Sequence, residues 1–444
     1  MSMRNRSSIR NVLLWLGIYL AAVTLPMFAL LPAGASGGMG FAWDFAMALG
    51  YAALAMLGVQ FALTARFRRA TAPFGIDIVY YFHRYLALLA LGLVFAHYLI
   101  LRVDNPAALG LADPRNAPAR MSAARLALGL FVLVIALSLA RRALRLEYER
   151  WRITHAALAT TAFALALWHV LGVGHYLDTI WKQSLWAAYG VFWIGLIGYV
   201  RLVRPWQVSR LPWRVVQVRP ERGTVWTLVL EPPPGHVLNF SPGQFAWLSL
   251  RASPFAMREH PFSIASSAER GERIELSIKE LGDFSSTIKD TAVGETAWLD
   301  APYGTFGIDQ YPQAPGFVLV AGGVGIAPVL SMLRTLADRR DRRPLWLFYG
   351  NRVWERVAFR EELDQLARHL DLRVVHVLLE PPPDWAGERG YITHEILDRI
   401  LPAQRSQFEY LICGPTPMTL AIERGLTALA VSAARVHSEI FNWV

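Results

Sequence analysis

Cysteine is nearly absent: the chain has 444 residues and one cysteine, Cys413. That excludes an intramolecular disulfide, an iron–sulfur cluster held by four thiolates, and covalent haem attachment through CxxCH. Charge is sparse as well. Charged residues make up 18% of the chain against 54% hydrophobic, which is too apolar for a soluble enzyme. No internal repeat or low-complexity segment is present, so repeat architectures are set aside. Acidic residues are too few to balance the basic ones, and the net charge is +10. The excess sits largely in short loops between apolar runs, a pattern that orients a chain in a membrane and speaks against nucleic-acid binding.

Six apolar stretches, at about 11–33, 41–65, 79–101, 123–141, 153–173 and 184–203, are long enough for a hydrocarbon core of about 30 Å. Ala33-Gly34-Ala35 resembles a signal cleavage site, but the apolar run before it is long for a signal peptide, so a retained span is expected. Arginines flank alternate ends: Arg4, Arg6 and Arg10 before the first span, Arg66, Arg68 and Arg69 after the second, and Arg141, Arg142, Arg145, Arg150 and Arg152 after the fourth. The 102–125 loop, with Arg102, Arg115, Arg120 and Arg125, breaks the alternation. On balance the chain is expected in the plasma (inner) membrane with both termini cytoplasmic.

After Pro205 the pattern changes to alternating strands such as "TVWTLVLEP" and "QFAWLSL", and from about 316 to strand–glycine loop–helix units. The expected fold is a multidomain membrane protein. A six-helix transmembrane haem bundle at 1–206 precedes an antiparallel β-barrel FAD domain at 207–310 and an α/β nucleotide-binding domain at 311–444.

The third and fifth spans share an unusual feature. His83 and His97 stand fourteen residues apart, as do His155 and His169. Fourteen residues of α-helix advance about 21 Å and fall about 40° short of four full turns, so each helix offers two imidazoles on one face. The two spans run in the same direction, which sets His83 level with His155 and His97 level with His169. Two stacked bis-imidazole sites suit two non-covalent b-type haems, with these histidines as iron ligands. A lone intramembrane histidine serves as readily in a helix contact or a proton path, but neither needs that matched register. His175 has no partner in this scheme and reads as a solvated loop residue.

In the remaining half, "REHPFSIASS" offers Phe262 to cover a flavin ring and the Ser263 hydroxyl to bond its N5 edge. "LGDFSSTI" places Gly282 and Ser285 at a helix start whose free N–H groups suit a pyrophosphate. "VAGGVGIAP" sets Gly322, Gly323 and Gly325 between a strand and a helix. In "YGNR", Arg352 is a candidate partner for a ribose 2′-phosphate, with Arg356 nearby; a solvated loop is the plain alternative.

With these motifs in view, nearly the whole chain resembles the NADPH oxidase and ferric reductase superfamily, and its soluble half also resembles ferredoxin–NADP reductases. "HPFS" (His260, Pro261, Phe262, Ser263) is similar to a flavin-contact motif of the oxidases. "GGVGIAP" and "CGP" are similar to its pyridine-nucleotide motifs, which implies nucleotide contacts at Gly322, Gly323, Gly325, Cys413 and Gly414. The ending "SEIFNWV" fits a Glu-x-aromatic pattern, implying catalytic roles for Glu439 and for Phe441 as the ring that stacks on flavin until nicotinamide displaces it; Trp443 is the other candidate. One departure stands out. The second span has no arginine in its apolar part, and Leu101 occupies the position four after His97, where the oxidases often place a histidine; Arg102 and His175 are the available substitutes.

The resemblance implies electron transfer from cytosolic NADPH or NADH through FAD and two haems to O2, giving superoxide. A ferric chelate is the alternative acceptor. Quinone reduction and a nucleotide-sensing transporter or channel are further readings, and oligomeric state is left open.

Overall fold

The structure, a computed structural model, describes residues 3–30, 39–67 and 76–439. It divides into two compact units, Met1–Pro205 and Trp206–Val444.

The first unit is helical: α1 (Met3–Phe28), α2 (Phe41–Thr64), α3 (Ile76–Asp104), α4 (Ala119–Ala140), α5 (Tyr148–Val173) and α6 (Ile180–Gly198), the last followed by a π turn at Tyr199–Val203. Several helices run past the apolar limits read from sequence, because a helix keeps its backbone bonds as it leaves the hydrocarbon. Five of them, α2 to α6, are long and apolar enough to cross a membrane. The apolar part of α1 described here, Leu13–Phe28, is shorter. The lipid-suited character shows in exposure: Leu89, Phe95, Leu99, Leu133, Val191 and Phe192 all face outward.

Inside the unit, α2 packs along α3, and α4 along α5. Glycines permit the tightest approaches. A Cβ on Gly58 would stand 2.6 Å from the Trp193 ring, and one on Gly190 2.1 Å from Leu167. By contrast α3 and α5, the two helices that carry the paired histidines, barely touch along their backbones.

The second unit begins with an antiparallel barrel of six strands, ordered β4-β3-β6-β1-β2-β5: β1 (Pro212–Pro220), β2 (Val225–Glu231), β3 (Phe245–Leu250), β4 (His260–Ser263), β5 (Ile274–Lys279) and β6 (Thr296–Tyr303). A bridge between Ile264 and Leu276 joins the two ends of this order. Alternate side chains such as Val215, Leu228, Leu248, Leu276 and Ala297 fill the interior. A one-turn helix, α7 (Asp283–Ser286), follows β5.

A parallel sheet of order β10-β9-β8-β7-β11-β12 completes the unit, made of β7 (Phe317–Gly322), β8 (Leu345–Asn351), β9 (Leu372–Leu378), β10 (Glu388–Arg389), β11 (Glu409–Cys413) and β12 (Val436–Glu439). Helices α8 (Ile326–Asp338), α9 (Arg360–His369), α10 (His394–Ile400) and α11 (Thr416–Ala428) cover it. The apolar β7 is buried at every residue, as a central parallel strand requires. Strand order reverses beside β7, so the carboxyl ends of β7 and β11 form the crevice where α/β sheets bind ligands.

Candidate functional site

The four histidines of α3 and α5 face one another in two levels. The rings of His83 and His155 lie with centroids 6.3 Å apart and planes 64° apart. That gap suits one metal atom bonded at about 2.0 Å to a nitrogen of each ring. His97 and His169 stand fourteen residues further along the same two helices, α3 and α5.

The second nitrogen of each ring decides which coordinating atom is left. His97 Nδ1 lies 2.8 Å from the Ala46 carbonyl of α2. His169 Nδ1 lies 3.1 Å from the Arg120 carbonyl of α4. A carbonyl only accepts, so each Nδ1 carries the proton and each Nε2 presents a lone pair. His155 reaches the same state through a side chain. The Ser138 hydroxyl donates to the Val134 carbonyl at 2.6 Å, which uses its one proton, so it accepts from His155 Nδ1 at 3.1 Å. His83 Nδ1 is buried with no hydrogen-bond partner among the described residues. Gly50 makes room for His97: a Cβ there would lie 3.1 Å from Nδ1.

Anchoring one imidazole nitrogen to a carbonyl or hydroxyl is how proteins orient a metal-ligating histidine. The donor set therefore fits haem iron. Among the described residues no cluster of three or more His, Cys, Asp and Glu could hold a further metal ion. His175 is not a solvated loop residue as expected from sequence. It is half-buried, with ring contacts to Trp43 at 5.5 Å and Tyr176 at 4.9 Å, because the Tyr176 hydroxyl bonds Asp44 and draws the loop onto α2. Arg102 is exposed.

On the barrel, β4 lies at the end of the strand order and carries His260, Pro261 and Phe262 half-buried and Ser263 buried. Phe284 of α7 stacks near it, 3.9 Å from the His260 ring and 6.0 Å from the Phe262 ring, both within 20° of parallel. A half-buried aromatic row on an edge strand fits a planar, hydrogen-bonding cofactor such as flavin. Gly282 is the N-cap of α7 and Ser285 its third residue; the helix is a single turn, and Ser285 Oγ accepts from the N–H groups of Leu281 and Gly282, which precede it, at 2.9 Å each. A hydroxyl three residues into a turn caps the turn's own backbone first.

At the crevice of the parallel sheet the two glycine motifs interlock. A Cβ on Gly325 would fall 2.2 Å from the Cys413 carbonyl, and one on Gly414 would fall 2.3 Å from Met418 Cε and 3.2 Å from Gly322 Cα. Gly323 has φ +55°, and above it the nearest group is the Lys279 ammonium, 4.0 Å from where a Cβ would stand. Open space over a glycine loop, faced by an ammonium, suits a phosphate-bearing ligand. Cys413 is fully buried opposite Glu439 in the β11–β12 register. Burial, with the Glu439 charge beside it, pushes the thiol pKa well above its ordinary value, so Cys413 stays protonated. Glu439 Oε1 lies 3.7 Å from the Cβ position of Gly304, just past the end of β6. Arg352 is exposed and paired with Glu380 at 2.8 Å. Phe441 and Trp443 lie outside the described residues.

Comparison with known proteins agrees with this division. Residues 49–167 match the family described as ferric reductase like transmembrane component, 210–307 an FAD-binding domain, and 319–424 an oxidoreductase NAD-binding domain. NADH-cytochrome b5 reductase 1 of Debaryomyces hansenii is 32% identical over 168 residues, 36% of this chain and 57% of the relative. Its counterpart in Aspergillus terreus is 28% identical over 224 residues, 48% of this chain and 75% of the relative. The chain thus spans a little over half the length of the first of these relatives. Flavohemoglobin from Malassezia yamatoensis, solved with bound FAD and heme, superposes with a TM-score of 0.50 at 17% identity over 91% of this chain and 100% of that one, a likeness of fold alone.

Membrane helices of the ferric reductase type, followed by FAD-binding and NAD-binding domains, define a membrane-bound flavin oxidoreductase. These three matches, in this order, match the arrangement of the NADPH oxidase and ferric reductase superfamily, with a ferredoxin–NADP reductase-like second half.

Proposed function

We propose that the chain carries electrons from cytosolic NAD(P)H, through FAD and two b-type haems, across the plasma membrane to O2, which leaves as superoxide. The carrying observation is that three of the four paired imidazoles are anchored at Nδ1, which reserves Nε2 for iron. His83 and His155 would hold the inner haem, His97 and His169 the outer one. The arginine-rich loops are taken to face the cytoplasm, with α1 as a sixth span.

Bound FAD would accept a hydride and bound haems would carry single electrons, the division needed between a two-electron donor and a one-electron acceptor. Around them this chain's residues orient and exclude. Phe262 and Ser263 would sit against the flavin, with His260 and Pro261 completing the strand. Gly322, Gly323 and Gly325 would let the dinucleotide approach the backbone, with Cys413 and Gly414 closing the crevice. Phe441 would cover the flavin face until nicotinamide displaces it, and Glu439 would position that tail. Gly282 and Ser285 would shape the turn beside the cofactor, and Arg352 would meet a 2′-phosphate when NADPH is the donor. His97 and His169 would both be engaged in holding the outer haem, so the acceptor would be reduced without a binding place of its own on the iron.

The test is steady-state turnover of the full chain with FAD and NADH or NADPH. Dismutase-sensitive reduction of cytochrome c, with two haems per chain, supports the reading. The exposed Arg120, whose carbonyl lies 3.1 Å from His169 Nδ1, and the exposed Arg115 of the preceding loop favour an anionic ferric chelate as a second reading. Fast anaerobic ferric reduction without superoxide, slowed by Arg115→Ala, would put that acceptor in place of O2. Phe441→Ala should tighten nucleotide binding; if Trp443→Ala does so in its stead, the covering ring is Trp443.

A further inference from the structure

Helix α8, which leaves the glycine loop, carries Ser331, Arg334, Thr335 and Asp338 on one face, since residues three, four and seven apart line up on a helix. Except at Asp338, this face does not look at solvent. Ser331 and Thr335 are fully buried, and the Arg334 side chain is 16% exposed. It lies along the segment that leaves β4. Ser331 Oγ donates to the Ser266 carbonyl at 2.7 Å, Thr335 Oγ accepts from the Ala268 N–H at 2.9 Å, and the Asp338 carboxylate accepts from Arg270 at 2.6 and 3.0 Å.

Arg334 sits midway and reaches furthest. Its Nη1 donates at 2.9 Å both to the Ala265 carbonyl and to Glu275 of β5. Its Nε and Nη2 fork onto the two oxygens of Glu362 in α9, at 2.6 and 2.9 Å. Glu275 also accepts from Arg219 of β1 at 3.1 Å. One guanidinium thus joins two helices of the nucleotide sheet to the barrel, at a carbonyl two residues past Ser263.

We propose that Arg334 is a positioning residue for hydride transfer: it fixes the separation between the glycine loop at the head of α8 and the strand bearing Phe262 and Ser263. The proposal rests on reading those two elements as the nucleotide and flavin contacts. In the step concerned, the C4–H bond of the reduced nicotinamide breaks and its hydrogen and electron pair pass to flavin N5, leaving oxidised nicotinamide and reduced flavin. Such a transfer needs its atoms about 3–3.5 Å apart, and a misplacement of about 1 Å costs roughly 100-fold in rate. The planar guanidinium holds four acceptor oxygens at once. A lysine ammonium is a point charge on a flexible stem and cannot reproduce that fork.

The experiment uses the full chain loaded with FAD, mixed anaerobically with NADH or NADPH while flavin bleaching is followed. Arg334→Lys should slow flavin reduction at saturating nucleotide by about tenfold or more, with FAD content, nucleotide Kd and reduction by dithionite unchanged. Glu362→Gln, which leaves Arg334 its bonds to Ala265 and Glu275, should slow it less, and it decides the matter if Arg334→Lys does not fold. A wild-type reduction rate in the folded variants overturns the proposal. So does loss of FAD or of nucleotide affinity with the saturating rate intact, since that is a structural role. If the unaltered chain is not reduced by either nucleotide, it is the functional reading that fails.

Discussion

In the membrane unit, the anchors behind the histidines are neutral: two backbone carbonyls and one hydroxyl whose proton is already committed. In the second unit the corresponding work falls to ions, with Arg334 held by Glu275 and Glu362, and Glu275 held again by Arg219. The difference follows from the solvent each unit is built for. An ion in hydrocarbon is expensive, so a ligand is better oriented by a group that fixes its tautomer without adding charge. Where water reaches the rim, a half-buried carboxylate flanked by two guanidiniums is tolerated and holds long side chains in one geometry. Neutral anchors should therefore be indifferent to pH where ionic ones are not.

The largest expected effect comes from removing a ligand. His97→Ala should cut the haem content from two to one per chain and abolish transfer to the outer acceptor, while the inner haem stays reducible by nucleotide. A haem assay with anaerobic reduction reads both, and loss of both haems, or of neither, breaks the two-level arrangement. Next comes the anchor made of a side chain. Ser138→Ala frees His155 to take the other tautomer and should weaken the inner haem about 10–100-fold while sparing the outer one. Equal weakening of both haems in a retention assay would count against the separate levels.

Acid should then separate the two units. Burial works against the charged form of Glu275, but Arg334 and Arg219 outweigh it and hold the carboxyl below its ordinary 4.5. A depressed acid contributes stability that is full above the unfolded value and is lost as pH falls through the lower folded value. Unfolding of the second unit, followed by FAD release, should accordingly set in below about pH 4.5. The loss should shift in Glu275→Gln; an unshifted acid profile would deny the network its role. Smallest is the thiol. Native Cys413 should resist alkylation at pH 8 that the unfolded chain undergoes, because burial keeps it protonated.

Hydropathy made the spans legible, and the spacing of His83, His97, His155 and His169 made their levels legible, because helix periodicity alone carries that information. The anchors were hidden for a simple reason: the carbonyls of Ala46 and Arg120 belong to the backbone and leave no mark in sequence. Ser138, a hydroxyl inside the fourth apolar stretch, was the one visible clue. In α8 the polar stripe from Ser331 to Thr335 has the spacing of a solvent-facing side, and only its contacts with the 265–270 segment reveal it as covered. At Gly325 the reason for glycine shows only in the fold, where a Cβ would fall 2.2 Å from the Cys413 carbonyl.

The anchoring of the histidines also bears on how the bundle is assembled. His97 is tied to α2, and His155 and His169 to α4, so each bond lies within a closely packed pair, α2 with α3 or α4 with α5. Each hairpin can enter the bilayer with its anchored histidines already aimed, His97 in one and His155 and His169 in the other, and on the proposed reading haem would then rivet the two halves together. A chain severed in the 110–118 loop, expressed as two pieces, should reassemble when haem is supplied and drift apart under haem starvation, which co-purification of the fragments would reveal.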